Sequence, residues 1–544
     1  MASSSATTAT PQRVCSFEPS PWKDFFVQYE PEPLQIAEEC MRVKADKLKV
    51  DIRMLFQTLG SAVEEKMTLC DTLRHLGIDH LFEDEINMAI NEIHKSDFKS
   101  GSLHEVALHF RLLREHGHWV SPDVFNKFKG IDGSFTNDII NEPRGLLSLY
   151  NAAYLSVHAE PELDESISLA KYHLELMRGN LKYPLSEQVK RSLEIPYPRT
   201  LKRIDVKSYI AEYNQEEAWN PSVLELAKLD FNLLQYLHQR ELKEFCRWGN
   251  DLYEEIDLNY SRNRIVECYF WSHTVHYEQQ YGQARIVLAK IFVIATLLDD
   301  TFDMHATLEE GRQLNEAIQR WDESAILLLP NYLKKYYVRL MKTFTEIEDE
   351  LKLDYKYRVA YCREAFQTLC KHYQQESEWF HSSYIPSFED HQKNALMSSG
   401  IPLLSVSSLV GMGDKATKEA FKWAIGCTDA VKACSIVGRL MNDMTAFKHG
   451  KNKMDVACSV DSYIKQYHVT SEVAMTMLDH VVQDAWKTSN QARFDHRALL
   501  PQVNQVISIT KSMAFMYHHK RDLYTFSRMI QEKIRQQFIQ PISL

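Results

Sequence analysis

Three carboxylates stand within five positions in Asp299-Asp300-Thr301-Phe302-Asp303, directly after the largely apolar run 291–298. Helical spacing places Asp299 and Asp303 on one face with Asp300 beside them. Like charges so close repel, and the C-terminal end of a helix is the wrong pole for anions. If the apolar run is buried, the trio stands at the mouth of an interior cavity and recruits cations. Oxygen-only ligands suit Mg²⁺, which takes one or two carboxylates and bridges to substrate phosphates. An isolated DDxxD can equally be a solvated acidic helix end, so the flanking residues decide.

Upstream stands Ser261-Arg262-Asn263-Arg264, and downstream Arg439-Leu440-Met441-Asn442-Asp443. Guanidinium forks bind phosphate oxygens bidentately, which is what a diphosphate leaving group needs at the mouth of a cavity. Each arginine alone reads as a surface ion pair. The order of arginines, DDxxD and Asn-Asp is far more specific.

The chain resembles the plant class I terpene synthases, and among them the cytosolic sesquiterpene synthases, over nearly its whole length. The resemblance rests on Pro19-Ser20-Pro21-Trp22-Lys23-Asp24-Phe25-Phe26, Phe110-Arg111-Leu112-Leu113-Arg114, Arg144-Gly145-Leu146-Leu147-Ser148-Leu149-Tyr150 and Leu229-Asp230-Phe231-Asn232. Its most specific parts are Arg264-Ile265-Val266-Glu267-Cys268-Tyr269-Phe270-Trp271 and the run 298–303. It implies an all-α fold, with a relic N-terminal barrel-like helical domain and a C-terminal α-helical bundle that holds the active site. No DxDD of the class II cyclases occurs, so chemistry starts by ionisation rather than protonation. A single DDxxD also separates the chain from the chain-elongating prenyltransferases, which carry two.

Carried over by this resemblance, Asp299, Asp300 and Asp303 are metal residues, with Asn442 serving a third Mg²⁺; Mn²⁺ could replace Mg²⁺. Arg262, Arg264 and Arg439 grip the diphosphate. Trp271, Tyr517 and Tyr524 give the carbocation π faces, and Asp522 handles a proton. Taken singly, each aromatic reads as core packing. One departure stands out. The family's second metal motif, (N/D)DxxSxxxE, puts ligands at i, i+4 and i+8, which here are Asn442, Ala446 and Gly450. Two of the three supply no side-chain oxygen, so the third ion depends on Asn442, Thr445, diphosphate and water, and Mg²⁺ affinity is expected to be weak. Asn263 replaces the usual acidic residue between the arginines.

The elements that must position these residues read as helices. Only 17 glycines and 17 prolines occur in 544 residues, too few turns for a many-stranded architecture. Helical periodicity runs from about Pro33, and Ser121-Pro122, Asn220-Pro221 and Ser387…Asp390 mark helix starts. The uncharged stretch 395–413 has the length of a membrane span. Its five serines, Gly400 and Pro402 suit an interior helix with a break instead. Pro196, Pro198 and the basic run 199–203 interrupt the pattern before Asn220-Pro221 restarts it. The expected division is an extended, poorly ordered segment over 1–30, a relic helical domain over 31–215 and a catalytic domain over 216–544.

A formal net charge of −11 and the absence of a dense basic tract argue against nucleic acid. Ten cysteines without a CxxC pair suit buried thiols in a reducing compartment. The Ser/Thr/Ala-rich N-terminus lacks the apolar core of a signal peptide and carries no arginine before Arg13, so a cytoplasmic, monomeric protein without a membrane partner is expected. The histidines of His104-Glu105-Val106-Ala107-Leu108-His109 are five apart and share no zinc-binding face. Gly411-Met412-Gly413 lacks the third glycine of a dinucleotide loop. The leading expectation is a Mg²⁺-dependent synthase that converts farnesyl diphosphate to a sesquiterpene, with geranyl diphosphate a second substrate. The competing expectation, supported by the eroded second motif, is a terpenoid-binding relative without turnover.

Overall fold

The computed structural model describes residues 17–31, 37–131, 133, 135–216, 219–449 and 458–544. Helices build it throughout; among these residues the nearest thing to a strand is one isolated bridge between Lys129 and Phe135. Two main apolar cores organise the molecule. An N-terminal core gathers Leu73, Phe82, Ile90, Leu112 and Val206. A larger C-terminal core surrounds the helix Gly282–Met304, here called the aspartate helix.

The two cores share one long element. Helix Pro221–Ile256 starts where Asn220 and Pro221 predict, with Asn220 Oδ1 accepting from the amides of Ser222 and Val223. Its first turns, through Val223, Ala227 and Phe231, pack into the N-terminal core, while Leu242 and Phe245 belong to the C-terminal one. A cut after residue 215 therefore divides the chain but not the packing. The expected interruption before it holds a short helix of its own, Val206–Tyr213.

Two expectations need correction. Within the described part of the N-terminal segment, Phe25–Gln28 form a helical turn. Trp22 and Phe26 are each 2% exposed and join the C-terminal core, with Phe26 reaching the Phe538 ring at 6.4 Å. Burying two aromatic rings outweighs the cost of ordering so short a segment. Ser121 caps a 3₁₀ helix, Pro122–Phe128, rather than an α-helix. The start of the expected periodicity near Pro33 and the site of Gly450 lie outside the described residues.

The break in the uncharged stretch is real. Helix Phe388–Ser398 ends, Gly400 adopts φ +76°, and helix Ile401–Val410 begins with Pro402 in its first turn. Residues 279–304 are long and apolar enough for a membrane span, at mean hydropathy 1.5, but 78% of that apolar window is buried among other helices.

Candidate active site

The run 291–298 is buried apart from the half-buried Ala295, so the aspartate helix delivers its carboxylates into the interior. Asp299, Asp300 and Asp303 line a single cavity. Arg262 answers the charge at this unfavourable helix end. Its Nη2 stands 2.7 Å from Asp299 Oδ2 and 2.8 Å from Asp300 Oδ1. Its backbone amide and the Ser261 hydroxyl donate to Asp300 Oδ2 at 2.7 and 3.1 Å. Burial raises the Asp300 carboxyl above its ordinary range and Arg262 opposes the shift, while the two carboxylates hold the Arg262 guanidinium charged against its own burial.

Both oxygens of Asp300 are thereby engaged. Expected to support Asp299 and Asp303 among the metal residues, Asp300 holds Arg262 in place in this structure. Arg264 lies apart from the other expected site residues. Its guanidinium donates to the carbonyls of Glu18, Asn263, Tyr524 and Thr525. It is not among the residues that line the cavity, and in this structure it ties the N-terminal segment to the C-terminal loop.

The opposite wall is helix Asp429–Lys448, which presents Arg439, Asn442, Thr445 and Ala446. Arg439 Nη2 donates to Glu376 Oε1 at 2.9 Å, and its Nε lies 3.2 Å from Asp443 Oδ1. Asp443 Oδ2 in turn accepts from the Ser459 amide and hydroxyl. Burial alone would raise the Asp443 carboxyl, but Arg439 and His391 hold it below its ordinary value. Asp443 therefore steadies Arg439, and Asn442 is the member of the Asn-Asp pair that faces the cavity. The Thr445 hydroxyl donates to the Met441 carbonyl, leaving only its lone pairs for an ion.

The far end of the cavity is aromatic. Trp271 stacks on Phe292 at 4.9 Å and meets Tyr524 edge-on at 5.3 Å. Its indole N–H is spent on Ser512 Oγ at 3.0 Å, which fixes the ring plane. The Tyr524 hydroxyl is engaged by Thr296 and Cys268, so its face rather than its oxygen is on offer. Tyr517 lines the same cavity. Asp522 also lines it, but its Oδ1 accepts from the amides of Tyr524 and Thr525 and so folds the loop that carries Tyr524.

Among the lining residues not visible as such in the sequence are Glu376's neighbour Tyr373, Phe17, Phe292 and Thr525. Phe17 lies 5.0 Å from the Arg262 guanidinium. Glu376, likewise unseen, carries the hydrogen bond to Arg439. Phe292 sat within the quoted apolar run, seven positions before Asp299, and its spacing from the aspartates was the available signal.

Oxygen donors from Asp299, Asp303 and Asn442 converge on one cavity with two arginines, a donor set that fits a hard divalent cation rather than a soft one. Residues 250–488 match the family model described as "Terpene synthase family, metal binding domain", and residues 21–193 match "Terpene synthase, N-terminal domain". A tau-cadinol synthase of Zea mays is 52% identical, over 99% of each chain. The chain belongs to the terpene synthase family. A second relative of this terpene synthase, an alpha-copaene synthase of Zea mays, is 48% identical over 96% of this chain and 99% of its own. Its fold matches isoprene synthase from grey poplar, solved with three Mg²⁺ ions and dimethylallyl-S-thiolodiphosphate. That match has a TM-score of 0.84 at 29% identity, covering 93% of this chain and 98% of the other. The residues of this terpene synthase therefore fit divalent metal binding in the cavity, with Asp299 and Asp303 on one wall and Asn442 on the other.

Proposed function

We propose that this terpene synthase ionises farnesyl diphosphate and releases a sesquiterpene, hydrocarbon or alcohol, together with diphosphate. The observation that carries the reading is one cavity with two chemically opposite ends. Arg262, Arg439, Asp299, Asp303 and Asn442 form the polar end, while Trp271, Phe292 and Tyr524 form the apolar one. Relatives named for tau-cadinol and alpha-copaene support a fifteen-carbon substrate.

Asp299 and Asp303, with Asn442 for a third ion, would hold Mg²⁺, which would supply Lewis-acid neutralisation of the departing diphosphate. Arg262 and Arg439 bind its oxygens, each oriented by a carboxylate of its own. The C–O electron pair leaves with the diphosphate and the positive charge stays on the prenyl chain. Trp271 and Tyr524 face that charge with their π systems, and Phe292 backs Trp271. The buried walls keep water from quenching the cation early.

The test is gas chromatography–mass spectrometry of products from purified protein, farnesyl diphosphate and Mg²⁺, beside Asp299→Ala. Sesquiterpenes from the wild type and at least about 100-fold less from the variant are expected, since the variant loses a charge-stabilising group. Turnover of geranyl diphosphate alone would move the substrate to ten carbons. Silence with both substrates would favour a terpenoid-binding protein without turnover.

A further inference from the structure

Between the two main cores lies a second cavity, about 430 Å³ against about 170 Å³ for the catalytic one. The N-terminal helices Val63–His75 and Leu103–Glu115 contribute Arg74 and Glu115. The C-terminal helices Ser471–Asp495 and Leu500–Met516 contribute Arg493 and Lys511.

The charges on its wall do not balance. Glu115 pairs with Arg74, Asp79 with Lys202, and Glu83 with Lys415. Glu278, whose charged neighbours are Lys202, His80 and Asp79, has its carboxyl raised by burial. Two cations, Lys511 and Arg493, form no ion pair among the described residues, and the carboxylate whose attraction both feel, Glu115, is already paired with Arg74. Lys511 is 7% exposed and, among the described residues, makes no hydrogen bond and no ion pair. Arg493 is 5% exposed and reaches only the amide oxygens of Asn490 and Asn504, at 2.7 and 3.4 Å. Buried charges are ordinarily paired, because desolvation without a counter-charge costs several kcal/mol. The strain shows in both groups. Burial pushes the Lys511 amine well below its ordinary value, with repulsion from Arg74 and Arg493 that Glu115 offsets only in part, and burial pulls Arg493 down to about 10 against the attraction of the same carboxylate.

We propose that this interdomain cavity binds a phosphate-sized oxyanion, held by Lys511 and Arg493 with Arg74 at its edge. An ammonium and a guanidinium fork match several oxygens at once, which a spherical halide could not exploit. Asn504 and Ser508 line the cavity on the same helix face, at the four- and three-residue spacings that lead to Lys511. The site also touches the catalytic wall from behind. Ser512, next to Lys511, holds the Trp271 indole, and Met513 lines the catalytic cavity. The oxyanion would join helices of both cores.

Inorganic phosphate is the probe, titrated into the full-length protein in Mg²⁺-free buffer with chloride holding ionic strength constant, and the thermal midpoint is the readout. Wild type gains midpoint with phosphate by mass action. Arg439→Gln, altered in the catalytic cavity, keeps the gain, and Lys511→Met loses it. No gain in the wild type, or an equal gain in Lys511→Met, overturns the site. A gain abolished by Arg439→Gln but not by Lys511→Met assigns the phosphate to the catalytic arginines and overturns it too. Should Lys511→Met fail to fold, acetylation of Lys511 by acetic anhydride in the wild type, read by peptide mass spectrometry, decides. Phosphate at ten times its dissociation constant then slows Lys511 labelling about tenfold relative to surface lysines, and an unchanged rate overturns the site.

Discussion

At the scale of single residues, both arginines of the cavity are held by carboxylates. Arg262 rests on Asp299 and Asp300, and Arg439 on Glu376 and Asp443. Glu376 also accepts from the Ser398 hydroxyl at 2.6 Å, so it ties Arg439 to the break in the uncharged helix. Glu376→Gln removes the charge from this buried pair while keeping its shape. We expect a stability loss of about 1–3 kcal/mol in denaturant titrations. Turnover should fall further than substrate affinity, because Arg439 is then less well placed for the charge that develops as diphosphate leaves. An unchanged turnover number would show that Asp443 alone orients Arg439. Ala446 raises the complementary question. It faces the cavity one turn beyond Asn442 and has no oxygen. Ala446→Ser should lower the Mg²⁺ concentration for half-maximal activity several-fold, read in a metal titration with saturating substrate. Tight activation of the wild type, unaltered by the substitution, would mean that the third ion does not use this position.

At the scale of elements, two glycines set how the uncharged helix meets its neighbours, for different reasons. Gly400 needs φ +76°, and a Cβ there would meet open space. Gly411 has ordinary φ, but its Cβ would lie 2.3 Å from the backbone nitrogen of Ala284 at the start of the aspartate helix. Gly400→Ala should therefore cost about 1–2 kcal/mol, the price of a left-handed conformation. Gly411→Ala should cost about 3 kcal/mol, because backbone must move away from backbone. Urea midpoints of the two variants check the order, and a reversed order would mean that the two helices can separate easily. Since the aspartate helix carries Asp299 and Asp303, Gly411→Ala should also depress turnover, although residue 411 lies at the other end of that helix from both.

At the scale of the whole molecule, burial of neutral histidines couples folding to pH. His276, buried between the aspartate helix and the uncharged helix, is pulled down to about 3 by burial. His104 in the N-terminal domain is pulled down to about 4, chiefly by burial and next by Arg144. In both the folded value lies below the unfolded one. Stability is thus fully present above about 6.5 and is lost as pH falls toward 4, where the unfolded chain takes up protons that the folded one refuses. The slope is about 1.4 kcal/mol per pH unit for a fully buried histidine such as His276 and smaller for the less buried His104. Urea midpoints at pH 7.5 and 5.5 should differ accordingly. His276→Gln should flatten the profile, and equal midpoints in the wild type would contradict the neutral state of these rings. The N-terminal segment belongs to this scale too. Phe17 lies against Arg262 and the Glu18 carbonyl accepts from Arg264, so the N-terminal segment meets residues far away in sequence beside the cavity.

Some of this was legible without coordinates because it depends on local geometry. The face shared by Asp299 and Asp303 follows from helical periodicity, the start at Asn220-Pro221 from capping, and the break near Gly400 from residues that cannot continue a helix. The all-helical class follows from the scarcity of turn residues. Motif order likewise marked Arg262, Arg439 and Asn442, while Trp271 was marked by the family resemblance. What stayed hidden is whatever depends on which distant group a side chain meets. Asp300 and Arg264 sit inside the same motifs as their neighbours. Only tertiary packing turns one toward Arg262 and the other toward the carbonyls of Glu18 and Tyr524. Glu376, Tyr373 and Phe17 look like ordinary helix or loop residues until their elements close on the cavity. Lys511 is one lysine among many in the sequence. Folding leaves it in an interdomain cavity without an ion pair among the described residues, because charge balance is a property of the assembled wall and not of any one stretch of sequence.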